Sequence, residues 1–355
     1  GFLPINHTMK RKISLEKKVR RIGFAFNIKG VPLQNERQDM YAEFDDPETI
    51  EAVVSSIESS GYEVVRLEAD ENFIDRIKKY TPDFVFNIAE GRHGECRESH
   101  VPAILEMLGI PYSGSGVLSQ ALTLTKDKKK EILDFYDIPT PSFQLFKSAK
   151  QNLHPSLNFP LIVKPNADGS SVGINANSVV ANNEDLRKQV EYVLTTYRQS
   201  ALVEEFCSGR EFTLALLGNP PRVMPIVEIT FDHLPESMPK IDGYESKWEY
   251  DTPETPAELE CPADISPRLK SRLEKIAKKT FEVLQCVDFA RIDVRLDQNE
   301  TPNVLDVNAL PGLMPDSRSN SRFTIACYAA GLSYQEIINS IISSAFERYG
   351  LHQEK

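Results

Sequence analysis

The sequence predicts an α/β protein of two or three lobes that opens with a parallel sheet covered by helices. Two observations carry this expectation. Strand-like apolar runs alternate with a helical stretch near the N-terminus: RIGFAFNI (Arg21 to Ile28), the segment from Pro47 to Ser60, YEVVRLEA (Tyr62 to Ala69) and DFVFNIA (Asp83 to Ala89). Parallel neighbours need a crossover connection, which a helix provides. The chain also has 355 residues, 41% hydrophobic and 26% charged, enough to bury a substantial core without staples.

The elements follow in order. GFLPINHT precedes Met9 and is read as an expression remnant, so residues 1–20 are set aside as an N-terminal extension. The first lobe is placed at 21–121, with a further helix around Glu98 to Leu108 before GIPYSGSG. A second unit, 122–218, holds LTKDKKKEILDFYDIPTP, the strand and Gly/Ser turn FPLIVKPNADGSSVGI, a helix near Asn183 to Tyr197, and ALVEEFCSGREFTLALLG. In the third, 219–355, Asn219 to Ile265 is Pro-rich and irregular, carries YESKWEY, and much of it is expected to be a long functional loop. A helix from Pro267 to Gln285 follows, then strands DFARIDVRLD and TPNVLDVNAL around a QNE turn, and a helical tail.

A net charge of -11 disfavours nucleic acid and anionic membranes as general partners. No apolar run approaches the roughly 18 residues of a membrane span, and no secretory signal core is visible, so the expected location is the cytoplasm. Cys96, Cys207, Cys261, Cys286 and Cys327 are scattered without a CxxC pair and are expected to be reduced thiols. His93 and His100 match no zinc spacing.

Four features point to chemistry. In the two late strands Arg291 and Asp293, then Asp306 and Asn308, alternate with apolar residues and so share a face. If the strands pair, Asp293, Asp306 and Asn308 form an oxygen cluster suited to magnesium, with Arg291 beside it; a solvated charged hairpin is the plain alternative. Lys164 ends an apolar strand just before Asp168-Gly169-Ser170-Ser171-Val172-Gly173, a turn able to present backbone N–H groups to phosphate without being a Walker loop. VEEF (Val203 to Phe206), with Glu211 beyond it, places acceptors at a strand end, where solvation is the usual reason for carboxylates. The run Lys126, Lys128, Lys129 and Lys130 reads as a solvated helix start or as a contact to a triphosphate.

In this order, VKPNADGSSVGI, LVEEFCSGREFT, RIDVRLD and LDVNALPGLMPDS resemble the ATP-grasp superfamily, and most of all the D-alanine–D-alanine ligases and their relatives, from about Arg21 to Gly331. The resemblance implies a three-lobed ATP-grasp fold: an N-terminal parallel-sheet lobe and two α+β lobes clamping ATP. It implies an ADP-forming ligase that joins a carboxylate to an amine through an acyl-phosphate, uses ATP with Mg2+ or Mn2+, takes amino-acid-like substrates and forms a homodimer. By resemblance Lys126, Lys164, Ser170, Ser171, Gly173 and Lys247 contact the phosphates, while Glu204, Glu205, Phe206, Cys207 and Glu211 line the adenosine pocket. Asp293, Asp306 and Asn308 match the metal ligands, Arg291 the oxyanion-stabilising side chain, and Gly312 and Ser317 the substrate carboxylate site; Arg291, Ser170 and Gly312 form the catalytic set.

The chain departs from that pattern where the first substrate is chosen. NIKGVPLQNERQDMYAEFDD replaces a glycine-rich opening, AEGRHGECRESHVPA replaces an HGxxGED-like loop, and Asp306 stands where Glu is common. Glu43, Glu90, Arg92 and Arg97 are the expected substitutes at the substrate, with Trp248 where a tyrosine would stand. D-alanyl-D-alanine synthesis is the best named activity; a ligase of specialised metabolism and a silent ATP-binding module are the alternatives.

Overall fold

The first apolar runs fold as β1 (Lys17–Val19), β2 (Arg21–Phe26), β3 (Glu63–Glu68) and β4 (Phe84–Asn87). β2 lies between β3 and β4 and runs parallel to both. Helices α1 (Pro47–Ser59) and α2 (Phe73–Tyr80) make the crossovers. Period-two alternation splits the strand side chains between two cores. Ile22, Phe24, Phe26, Phe84 and Phe86 pack with Ile50, Val53 and Ile57 of α1, whereas Ala25, Leu67 and Val85 meet Phe73 and Ile77 of α2 with Val101 and Leu105 of α3 (His100–Leu108). The computed structural model describes residues 17–30, 39, 41–169, 171–235, 238–243, 246, 259–316 and 321–354.

α4 (Val117–Leu124) and α5 (Lys126–Phe135) lead to a four-stranded antiparallel sheet ordered β5 (Phe143–Phe146), β8 (Ala201–Glu205), β6 (Leu161–Pro165), β7 (Val179–Val180). α6 (Asn183–Thr196) covers it, and the Asn182 side chain caps this helix by accepting from the Glu184 and Asp185 N–H groups, each at 3.0 Å. Leu186, Val190 and Val193 of α6 close a separate core over Val163 and Val203.

The third sheet is antiparallel, ordered β12 (Leu259–Glu260), β11 (Val227–Ile229), β9 (Glu211–Leu217), β13 (Phe289–Leu296), β14 (Pro302–Asn308), with β10 (Arg222–Val223) beside β9. α7 (Pro267–Val283) packs on one face through Leu273, Ala277 and Phe281. α8 (Arg322–Ala329) and α9 (Tyr334–Tyr349) pack on the other, where Ile337 and Ile341 of α9 share a core with α1.

Two expectations are corrected and one, the long loop, is filled in. The second unit, expected to run to 218, ends earlier: β9 pairs with β11 and β13, so the chain leaves the second sheet right after β8. The segment Asn219 to Ile265 is not only loop: β10, β11 and β12 tie it to the third sheet. Within the extension 1–20, β1 pairs in parallel with β15 (Leu351–Gln353), joining the two ends of the described chain. Among the described residues no helix is long and apolar enough to cross a membrane.

Candidate active site

The β13–β14 hairpin brings the late polar residues together as the alternation requires. Arg291 lies opposite Asn308 and Asp293 opposite Asp306, and directly opposed residues present side chains to one face. Asp293 Oδ1 accepts from Thr213 Oγ1 at 2.7 Å; its Oδ2 accepts from Arg291 Nη2 at 3.0 Å and Asn308 Nδ2 at 3.2 Å. With its amide nitrogen used on Asp293, Asn308 has its oxygen left for a cation. Asp306 Oδ1 accepts from Lys129, and Lys126 Nζ lies 3.8 Å from Oδ2. Burial opposes the charged form of Asp306, but the Lys126, Lys129 and Lys164 ammoniums outweigh it and hold the carboxyl well below its usual range.

The lysine run is not a solvated helix start. Lys126, Lys129 and Lys130 are buried, and Lys128 is exposed, pairing with Glu131 at 2.7 Å. Positions 126, 129, 130 and 133 follow the i, i+3, i+4, i+7 spacing of a buried stripe, a signal that was available in the sequence. Glu204 is likewise buried, not solvated: Oε1 takes Lys164 at 2.5 Å and Oε2 meets Lys130 at 2.8 Å. Although burial disfavours its charge, the two lysines keep the Glu204 carboxyl below its ordinary value.

Two adjoining cavities share Lys126, Asp168, Gly169, Arg291, Asp306 and Asn308 on their common wall. The first lies between the second and third sheets and is lined by Lys164, Ser171, Glu204, Glu205, Phe206, Cys207, Glu211 and Asp293. Glu205 also accepts from the Asn158 N–H at 3.0 Å. Burial, then Glu204, pushes the Cys207 thiol up to about 12. Glu211 pairs with Arg295 at 3.2 Å, and that guanidinium sits 5.0 Å from the Phe206 ring centre and 5.1 Å from that of Phe231. Arg295 was missed, though it follows Asp293 by two residues and shares its face.

The Gly/Ser turn roofs this cavity. Gly173 has φ 73°, and a Cβ there would drive into the Pro165 ring, so glycine is required. Ser171 Oγ donates to the Asp242 carbonyl at 2.6 Å. The first sheet's loop holds the turn from the other side: Glu43 Oε1 accepts from the Gly169 N–H at 2.6 Å and its Oε2 takes Arg97, while Arg97 donates to the Ala167 carbonyl at 2.8 Å and lies 3.6 Å from Asp168.

The second cavity is lined on one side by Glu43, Asp45, Glu90 and Glu98 and on the other by Arg291, Gly312 and Arg322. Burial, then Asp46, raises Asp45 to about 8. Burial, then the Glu98 charge, raises Glu90, and burial, then the Glu43 charge, raises Glu98 to about 7. Arg322, which sequence reasoning missed, is bound through both Nη atoms to Asp242, at 2.8 and 2.6 Å. The structure does not bring Arg92 into either of these cavities; it faces Glu68 at 3.0 Å and Glu71 at 4.0 Å. Ser170, Lys247, Trp248 and Ser317 lie outside the described residues.

Hard divalent cations take oxygen ligands. The Asp293, Asp306 and Asn308 oxygens, on one sheet face at the cavity between the second and third sheets, fit such an ion. Among the described residues no group of three or more His, Cys, Asp and Glu side chains gathers as a metal site, so this set depends on the amide of Asn308.

The family described as D-ala D-ala ligase C-terminus matches residues 132–343. An uncharacterized protein of Sinorhizobium fredii, y4sG, is 36% identical over 310 residues, 84% of this chain and 88% of that protein. The D-alanine–D-alanine ligase of Carboxydothermus hydrogenoformans is 32% identical over 310 residues, 84% of this chain and 93% of that protein. The crystal structure of D-alanine–D-alanine ligase from Bacillus anthracis complexed with ATP matches with a TM-score of 0.70 at 24% identity, covering 93% of this chain and 98% of that one. Fold, matched region and full-length likeness agree, and the chain belongs to the D-alanine–D-alanine ligase family of the ATP-grasp superfamily.

Proposed function

We propose that the protein is an ATP-dependent, ADP-forming ligase that joins a carboxylate to an amine, and that D-alanine–D-alanine ligation or a close relative of it is its activity. The observation that carries this reading is the wall common to the two cavities: Lys126, Arg291, Asp306 and Asn308 face both, so a phosphate in one meets a carboxylate in the other. A carboxylate oxygen of the first substrate takes the γ-phosphoryl group and ADP leaves. The amine of the second then attacks the carbonyl, and phosphate leaves as the amide bond forms.

The residues divide the work. Lys126 and Lys164 neutralise and hold the phosphates beneath the 168–173 turn, since phosphoryl transfer depends on position and charge more than on covalent chemistry. Arg291 and the backbone near Gly312 stabilise the tetrahedral oxyanion. A magnesium ion, or manganese in its place, held by Asp293, Asp306 and Asn308 would supply further charge neutralisation to the phosphates. Glu205, Phe206, Cys207 and Glu211 line the adenosine side. Asp45, Glu90 and Glu98 receive the substrate ammonium opposite the arginines that receive carboxylate.

A second reading, ligation of an amino acid other than alanine or of a peptide, draws on one observation. Glu43 is already engaged by Arg97 and the Gly169 N–H, while among the described residues Asp45, Glu90 and Glu98 have no Lys or Arg within ion-pairing distance. Carboxyls that hold their protons both donate and accept hydrogen bonds, so such a wall favours a more polar first substrate than alanine. Phosphate release measured with D- and L-amino acids, singly and in pairs, with product mass, tests both readings. ADP is expected only when carboxylate and amine are both present; turnover indifferent to the amine would sink the ligase assignment, and turnover with D-alanine alone would favour the first reading.

A further inference from the structure

We infer that Arg322 and Asp242 form a strut between the two cavities: Arg322, on the wall of the second, positions the roof of the first through Asp242, and so sets the affinity for ATP without touching it. The inference deepens the reading of the cavity between the second and third sheets as the ATP site, and rests on it.

Arg322 opens α8, and the backbone around it is anchored. Ser321 Oγ donates to the Gly312 carbonyl at 2.7 Å, Thr324 Oγ1 donates to the Met314 carbonyl at 3.0 Å, and the buried Phe323 ring packs 5.7 Å from that of Phe289. The side chain that leaves this fixed base is 4% exposed. A buried cation is costly unless an anion compensates it. Among the described residues the Asp242 carboxylate is the one within ion-pairing distance, and each Arg322 Nη atom donates to a different oxygen of it, at 2.8 and 2.6 Å. Two such bonds fix direction as well as distance, which the point charge of a lysine does not.

Asp242 passes the hold on to the roof. Its carbonyl accepts from Ser171 Oγ at 2.6 Å, and a Cβ on Gly243 would lie 3.1 Å from the Ile174 carbonyl oxygen, so the backbone at 242–243 lies directly against the Gly/Ser turn. Ser171 has φ 61°, a left-handed conformation that a residue with a side chain keeps when its surroundings impose it. The bond to the Asp242 carbonyl is one such restraint. Two residues earlier the segment is held separately, since the Lys240 carbonyl accepts from Arg295 at 2.7 Å. Arg295 fixes where the segment enters; Arg322 fixes the residue that bears on the turn.

The test is isothermal titration of the full chain with a non-hydrolysable ATP analogue and Mg2+ in the absence of amino acids, which separates this role from any contact of Arg322 with substrate. Arg322→Lys, which keeps the charge but not the two-pronged grip, and Asp242→Asn are each expected to raise the dissociation constant about tenfold. The double variant should bind no more weakly than either single one, because all three break one link. Tyr328→Phe, which removes the bond from α8 to the Pro315 carbonyl, should leave the affinity unchanged. Thermal unfolding identifies a variant that does not fold; if Arg322→Lys is one, Asp242→Asn, of nearly the same shape, decides. A purely structural pair would lower the melting temperature and leave the affinity of the folded protein alone. Folded single variants that bind within about twofold of the wild type, or a double variant about a hundredfold weaker, overturn the inference and leave the ATP site standing. A wild type that does not bind the analogue overturns the ATP-site reading, and the inference with it.

Discussion

Glu204 is 2% exposed and lies between two buried ammoniums, Lys130 and Lys164, which come from a helix and a neighbouring strand. Its carboxylate favours the charged form of both lysines beneath the cavity between the second and third sheets. Removing that charge strands two ammoniums in a site with little water, and breaking a buried ion pair typically costs about 3–5 kcal/mol. Glu204→Gln is therefore expected to lower unfolding stability by about 3 kcal/mol, read from urea midpoints at unchanged slope. A loss below about 0.5 kcal/mol, the scale of an exposed pair, would mean that water reaches the triad.

At the scale of elements, the loop after β2 and the turn after β6 are joined although more than a hundred residues separate them. Glu43 and Arg97 come from the first sheet's loops, and both bind backbone of the turn at 167–169. This clasp sets where the roof of the cavity between the second and third sheets sits. Arg97→Met frees one edge of the roof and leaves Glu43 without its cation, so the dissociation constant for ATP is expected to rise about tenfold, or roughly 1.4 kcal/mol. Isothermal titration reads it directly. Adding Glu43→Gln to Arg97→Met should recover part of the loss, because it removes the stranded carboxylate; strict additivity would show that the two side chains act separately.

For the whole molecule, the carboxyl-rich wall predicts how stability responds to pH. Asp45, Glu90 and Glu98 keep their protons in the folded chain at pH values where unfolded carboxyls, with ordinary values near 4, have lost them. The folded state then binds more protons than the unfolded state between about pH 4 and 8, so stability falls as pH rises through that window. Asp306 has the opposite sign, but its contribution is lost only in acid, below the unfolded carboxyl value. The melting temperature of the ligand-free protein is expected to decline from pH 5 to pH 8, and Glu98→Gln should flatten the decline. A wild-type profile that rises across that range contradicts the raised values.

Much of this was legible in the sequence for physical reasons. The strand-helix-strand rhythm of the first hundred residues reported the parallel sheet, because alternation and crossover length are local properties. The period of two in RIDVRLD and LDVNAL placed Arg291, Asp293, Asp306 and Asn308 on one face, and the hairpin register bears that out. Local pattern did not reveal partners brought in from afar. Whether a carboxylate is solvated or buried depends on what packs over it, so Glu204 and the lysines of α5 read as surface charges until the second and third sheets closed on them. Pairing likewise moved β9 to the third sheet and bound Glu43 to Arg97. The sequence by itself determined the strands, the faces and the kinds of groups they carry; the tertiary structure alone decided which charges neutralise one another, because that depends on distances between segments far apart along the chain.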